Sequence, residues 1–216
     1  MNHRITFPSV HAQGGIPFVT EVSAPSEALA IRKVLEQHAR DGKALEYVKI
    51  ADVSELPGAK LDGLKLSHCV VRNVNLTGVS LKGATFSDTT FDKVVADATT
   101  RMDSATFENV QFIGCALNGL RAPRAQFVGV HFTDTTTRGL DVEGASFYGA
   151  RTFRSDLTGW RAHMCYLSSF DGALEVIDSA DLTTNQRAAL RTLIATAGNR
   201  TAAQTYFDGL ESNPAI

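Results

Sequence analysis

From about Ala59 to Leu182 a bulky apolar residue returns at every fifth position, with a small residue two places before it. A helix repeats near 3.6 residues and a strand at 2, so this stretch is an internal repeat rather than a row of amphipathic elements. Taking Leu61, Leu66, Val71 and so on as centres, with one extra residue between Ala96 and Met102, 22 of 25 centres are apolar. At 19 of the 25 positions two residues earlier stands Ala, Cys, Ser, Thr or Val. Two side chains of every five are thus expected to point inward and three outward.

That pattern is satisfied only if the backbone turns through the same angle at each repeat and closes a coil after a whole number of repeats. One coil has almost no core, but stacked coils pair their backbone groups along the axis and pile like side chains on like. The units Ala59-Lys60-Leu61-Asp62-Gly63 and Ala145-Ser146-Phe147-Tyr148-Gly149 resemble those of the pentapeptide-repeat family. The resemblance implies a right-handed, quadrilateral β-helix with four repeats per coil.

With four repeats per coil, centres 20 residues apart should stack, or 21 apart across the extra residue. Leu66, Phe86, Phe107, Phe127, Phe147 and Leu167 then form one column, and Val71, Phe91, Phe112 and Phe132 most of the next. The third (Leu76, Ala96, Leu117, Thr137, Leu157, Ile177) and fourth (Leu61, Leu81, Met102, Ala122, Val142, Ala162, Leu182) are smaller. Where a centre is small the preceding inward residue is often large, as with Leu120 before Ala122 and Trp160 before Ala162, which fills space without voids. The expected fold is an all-β core of about six coils with α-helical N- and C-terminal caps. It divides into an N-terminal arm and capping element (1–55), the β-helix (56–182) and a C-terminal helical cap (183–216).

At the N-terminal end, residues 1–22 read as an irregular arm or a short strand pair, 25–40 as a helix stopped by Gly42, and Tyr47-Val48-Lys49-Ile50 as a strand. Leu56, five before Leu61, suggests that the first coil begins there. The extra residue within 97–101 reads as a bulge at a corner or as a one-residue extension of a loop, and the regular coil is expected to fray after about Gly172. Thr183 and Gln186 form a capping box, followed by apolar stripes over Leu190, Leu193, Ile194 and Ala197, and over Ala203, Tyr206, Phe207 and Leu210. Those stripes must bury against the last coil, each other or a second subunit; the resemblance makes a homodimer through the C-terminal helices one option.

Chemistry is sparse. Cys69, Cys115 and Cys165 all occupy small inward positions, no two of them stack, and disulfide or zinc geometry is not met. The six histidines fall on the arm, the helix and outward positions without metal-ligand spacing. No nucleophile, base and orienting acid assemble, and no phosphate-cradling loop occurs. Gly78, Gly119, Gly139 and Gly159 recur two places after third-column centres, as corner residues do. The sequence therefore calls for no catalytic, cofactor or metal site.

Function is expected on outward positions. The candidate surface is an Arg-rich patch of Arg121, Arg124, Arg151, Arg154 and Arg161 with Tyr148 and Phe153, joined by Trp160 if its side chain faces out, since Arg and aromatics are enriched in binding hot spots. The alternative is a cross-paired ion ladder of little energetic weight. The leading reading is a non-enzymatic protein-interaction module, a bacterial adaptor or secreted effector with an unknown protein partner. Some members of the family are DNA mimics that bind type II topoisomerases, but residues 61–182 carry 14 acidic and 11 basic residues, a faint charge for a mimic of duplex DNA. The third reading, an enzyme using the N-terminal region, has no motif behind it. A net charge of −2 argues against direct nucleic-acid binding on electrostatic grounds. No apolar run is of membrane-spanning length, and the first eight residues lack a secretory core, so the bacterial cytoplasm, or export without a cleavable signal, is expected.

Overall fold

The computed structural model describes residues 1–10, 15–53, 56–162, 165–168 and 188. The chain opens with an antiparallel pair, β1 (Asn2–Phe7) and β2 (Phe18–Ser23), followed by the helix α1 (Glu27–Asp41) and two short strands, β3 (Ala44–Glu46) and β4 (Lys49–Ala51). Eleven more three-residue strands then alternate between two stacks. One parallel sheet runs β3, β5 (Lys65–Ser67), β7 (Thr85–Ser87), β9 (Thr106–Glu108), β11 (Gln126–Val128), β13 (Ser146–Tyr148) and β15 (Tyr166–Ser168). The other runs β4, β6 (Val70–Arg72), β8 (Thr90–Asp92), β10 (Gln111–Ile113), β12 (His131–Thr133) and β14 (Arg151–Phe153). Two further sides of the coil are held by single parallel bridges, such as Ala116 to Thr136 to Asp156 and Arg121 to Asp141 to Arg161. Among the described residues the result is a β-solenoid of about five turns, preceded by helix α1.

Register follows the expected columns: Phe127 pairs with Phe107 below it and Phe147 above it. Parallel strands in register sit about 4.8 Å apart, and that spacing dictates how the rings meet. Phe107 and Phe127 stack at 4.8 Å with their planes 2° apart, and Phe127 and Phe147 at 4.4 Å and 3°. Between columns the contact becomes edge-to-face, as for Phe86 and Phe91 at 82°. Both inward positions are buried along the repeat, with Ala84, Ala105, Ala125 and Ala145 filling the space beside the phenylalanines.

Except in the turn after Ala96, the corners fall two residues after a centre and take a left-handed backbone. Asn and Asp tolerate that region better than other non-glycine residues, and His68, Asn73, Asp88, Asn109 and Asp134 occupy it with φ between 48° and 53°. The third-column corners are glycine at 78, 119, 139 and 159; a Cβ on Gly119 would come within 3.3 Å of the Ala98 side chain. The extra residue of 97–101 closes as a turn. Asp97 accepts from the Thr99 N–H, while Thr100 is buried and its hydroxyl donates to the Leu76 carbonyl at 2.8 Å.

Two N-terminal expectations need correction. The strand expected at 47–50 is broken, because Tyr47 is a corner with φ 56°, leaving β3 and β4 on different sides. Coil-like stacking accordingly begins at Ala44, upstream of the boundary at 56: Leu45 lies on Leu66 and Ile50 on Val71. Leu45 and Ile50 already keep the five-residue spacing, but the step from Ile50 to Leu56 hides it. Helix α1 starts at Glu27, with Ser26 as its N-cap accepting from Leu29 N at 3.2 Å, and ends at Gly42 in the left-handed conformation. It reaches the first coil through Arg32, which donates to the Pro57 and Gly58 carbonyls, while Leu35 is buried in the core. Trp160 lies inside and is 1% exposed. The expected fraying after Gly172 and the helices of 183–216 lie outside the described residues.

Candidate interaction surface

The four-sided coil divides the residues that the sequence groups together. Arg121 and Arg161 share the fourth side with Asp141 between them, and Arg124 stands at the corner that follows. Tyr148 belongs to β13, Arg151 and Phe153 to β14, and Arg154 to the next corner. Two sides of the coil separate Arg151 from Arg161, so they face opposite directions. The single Arg-rich face expected from Arg121 to Arg161 is therefore two surfaces back to back, because the chain between these residues passes every side of the rod. Trp160 joins neither: its ring packs 5.4 Å from Phe147 and its Nε1 donates to Thr137 Oγ1 at 2.9 Å. The small side chains of Thr137 and Ala162 leave room for it.

Carboxylates on the outer sides are largely cross-paired. Arg72 meets Asp92 at 2.9 Å, Arg101 meets Asp103 at 2.7 Å, Arg154 meets Asp134 at 2.6 Å and Arg121 meets the buried Asp141 at 3.6 Å. Asp156 is the most strongly perturbed acid; the Thr158 backbone N–H, the Arg138 guanidinium and the Thr158 hydroxyl hold its pKa down to about 2. Among the described residues, Arg124, Arg151 and Arg161 have no carboxylate within 4.0 Å. Tyr148 and Phe153 are each 59% exposed, and the Arg154 guanidinium lies 4.7 Å from the Phe153 ring centre.

The inward polar groups are spent on the backbone. Cys115 Sγ donates to the Phe91 and Ile113 carbonyls, and Thr135 Oγ1 to those of Phe112 and Thr133. Burial pushes the Cys115 thiol up to about 11 and the Cys165 thiol up to about 12. A thiol that cannot ionise near neutrality is neither a nucleophile nor a ready metal ligand. Among the described residues no group of three or more His, Cys, Asp or Glu is placed to hold a metal ion.

The tertiary structure adds a feature that periodicity did not single out. Along the corner between the two sheets, Tyr47 stacks on His68 at 4.8 Å, His68 Nε2 lies 3.8 Å from Asp88 Oδ2, and Asn109 Nδ2 donates to Asp88 Oδ1 at 3.3 Å. Above Asn109 the same corner is Gly129 and then Gly149. The loss of two successive side chains leaves a groove of about 350 Å³ lined by Asn109, Gln111, Gly129, His131, Gly149 and Arg151. The signal was present in the sequence as Tyr, His, Asp, Asn, Gly, Gly at equivalent corner positions. A second groove, of about 480 Å³, lies between β2 and α1 and includes Phe18, Val22, Lys33 and His38.

Residues 54–93 match the family model described as pentapeptide repeats, in eight copies. No curated relative matches the chain. Among solved structures the chain is similar to the pentapeptide repeat protein Rfr23 from the cyanobacterium Cyanothece 51142, at 16% identity over 65% of this chain and 94% of that one, with a TM-score of 0.36. It is also similar to HetL of Nostoc sp. strain PCC 7120, a pentapeptide repeat protein involved in heterocyst differentiation regulation, at 16% identity over 62% and 76%, TM-score 0.28. Full-length QnrB1, a plasmid-mediated fluoroquinolone resistance protein, is similar at 14% identity over 69% and 98%, TM-score 0.18. The matched repeats show that residues 54–93 are pentapeptide repeats, and the four-sided coil to which they belong continues with the same five-residue period to Arg161.

Proposed function

We propose that this protein is a non-enzymatic interaction module, an adaptor or effector whose rigid rod presents one side to a partner protein. The observation that carries this reading is the pair Tyr148 and Phe153, large aromatic side chains each 59% exposed on adjacent sides of one coil, beside Arg151 and Arg154. The repeat buries centres and small positions and makes no demand on outward ones, so folding has no use for aromatics there. Aromatics beside arginine are the composition of interface hot spots. No helix among the described residues is long and apolar enough to cross a membrane.

The test compares wild type with the double variant Tyr148→Ser, Phe153→Ser in pull-downs from native lysate. Loss of one reproducible partner with an unchanged melting temperature supports the reading, whereas identical captured sets, or an empty set from both, overturn it. The duplex-mimic reading, with a type II topoisomerase as partner, calls for an unbroken acidic surface. Here Asp92, Asp103, Asp134, Asp141 and Asp156 each face an arginine. Protection of gyrase from an inhibitor in a supercoiling assay, abolished by neutralising Asp134, Asp141 and Glu143, would favour that reading instead.

A further inference from the structure

We infer that the corner groove at Gly129 and Gly149 binds a short acidic, extended segment of a partner protein, with a carboxylate held by His131 and Arg151. The inference rests on the interaction-module reading and names the site and the chemistry of its occupant.

Three observations carry it. At its Gly149 end the groove is not required by packing. A Cβ added at Gly149 meets nothing within 4 Å, and the equivalent corners below it hold Tyr47, His68, Asp88 and Asn109 in the same left-handed region, with φ between 48° and 56°. A Cβ at Gly129 would lie 2.8 Å from Asn109 Oδ1, the end of a side chain that would have to shift, but residues with side chains fit this corner and the Gly149 rung has none.

The wall formed by the second sheet is a register row, Gln111, His131 and Arg151, all exposed. Rungs about 4.8 Å apart put the imidazole and the guanidinium within reach of one carboxylate, and Arg151 has no carboxylate of its own within 4.0 Å among the described residues. Its neighbour Arg154 is already engaged by Asp134. The other edge of the groove belongs to the first sheet, where Val128 and Tyr148 immediately precede the two glycines and are 37% and 59% exposed.

Charge sets the direction. Asp88 and Glu108 stand toward the Asn109 end, while Arg151 stands at the other, with His131 on the rung between. An acidic side chain is therefore attracted to the Gly149 end and repelled from the Asn109 end, and an apolar neighbour can cover Tyr148. Three rungs span roughly 10 Å, room for about three extended residues. Longer occupants would run past the groove along the rod.

The test is fluorescence polarisation with a labelled peptide of alternating Glu and Leu, against matched peptides of Gln and Leu and of Lys and Leu. The expected result is saturable binding of the Glu peptide alone, weakened about tenfold or more by Arg151→Glu, where a like charge replaces the attraction. Gly149→Asn should weaken it similarly, because it fills the groove with a residue that this corner tolerates, as Asn109 shows. Both variants should melt with wild type. No saturable binding of the Glu peptide below about 1 mM, or equal binding by wild type and Gly149→Asn, overturns the inference. If the partner caught by wild type in the pull-down is also caught by both groove variants but lost with Tyr148→Ser, Phe153→Ser, the groove assignment fails while the interaction-module reading stands.

Discussion

The indole Nε1 of Trp160 donates to Thr137 Oγ1 at 2.9 Å, and both residues are buried, at 1% and 0% exposure. Thr137 is a polar residue at a position that is otherwise a hydrophobic centre, and its hydroxyl in turn donates to the Asp156 carbonyl at 2.8 Å. The two side chains come from successive coils, Thr137 from the third side and Trp160 from the fourth side of the next turn. Thr137→Val strands a buried N–H, which costs about 1–3 kcal/mol. In a double-mutant cycle with Trp160→Phe, monitored by chemical denaturation, the two changes are expected to cost less together than the sum of the singles. Simple additivity would mean that the hydrogen bond contributes nothing.

Phe127 lies in a continuous pile, between Phe107 at 4.8 Å and Phe147 at 4.4 Å. Phe127→Ala removes ring contacts above and below, and the strand ladder prevents the coil from collapsing into the space. The expected loss is about 3–5 kcal/mol in urea unfolding; a loss under about 1 kcal/mol would contradict the packing.

Asp156 has a pKa lowered to about 2 from an ordinary 3.8. A depressed carboxylate stabilises the fold fully above its unfolded pKa and loses that contribution as pH falls through its folded one. Asp156→Asn is therefore expected to lower the melting temperature at pH 6 while flattening its decline between about pH 4 and pH 2. Melting curves for the two proteins that fall in parallel through that window would reject the assignment.

Cys115 and Cys165 are held protonated by burial, the first up to about 11 and the second up to about 12. Neither is expected to react with iodoacetamide at pH 8 until denaturant unfolds the chain. Cys115→Ser should be tolerated, because a hydroxyl can make the same bonds to the Phe91 and Ile113 carbonyls that Thr135 makes to those of Phe112 and Thr133. Rapid modification of the native protein would show that these side chains reach solvent.

Sequence alone determined the inward half of this protein. A five-residue period with a small partner admits one way of burying both positions, and that logic stacked Phe107 on Phe127, buried Cys115, put corners at Gly119 and Gly139, and located the extra residue within 97–101. The tertiary structure decided what depends on which side of the coil a residue occupies. Arg121 and Arg161 are close in pattern to Arg151 and Arg154 but face away from them, since each repeat rotates the chain by one side. Trp160 turned inward because the space beside Thr137 and Ala162 accepts an indole, a volume that only neighbouring coils define. The start at Ala44 was hidden by one extra residue before Leu56, and the corner groove by its dependence on three rungs at once. Inward positions answer to a short-range rule that repeats along the chain, whereas outward positions gain meaning only from neighbours a coil away.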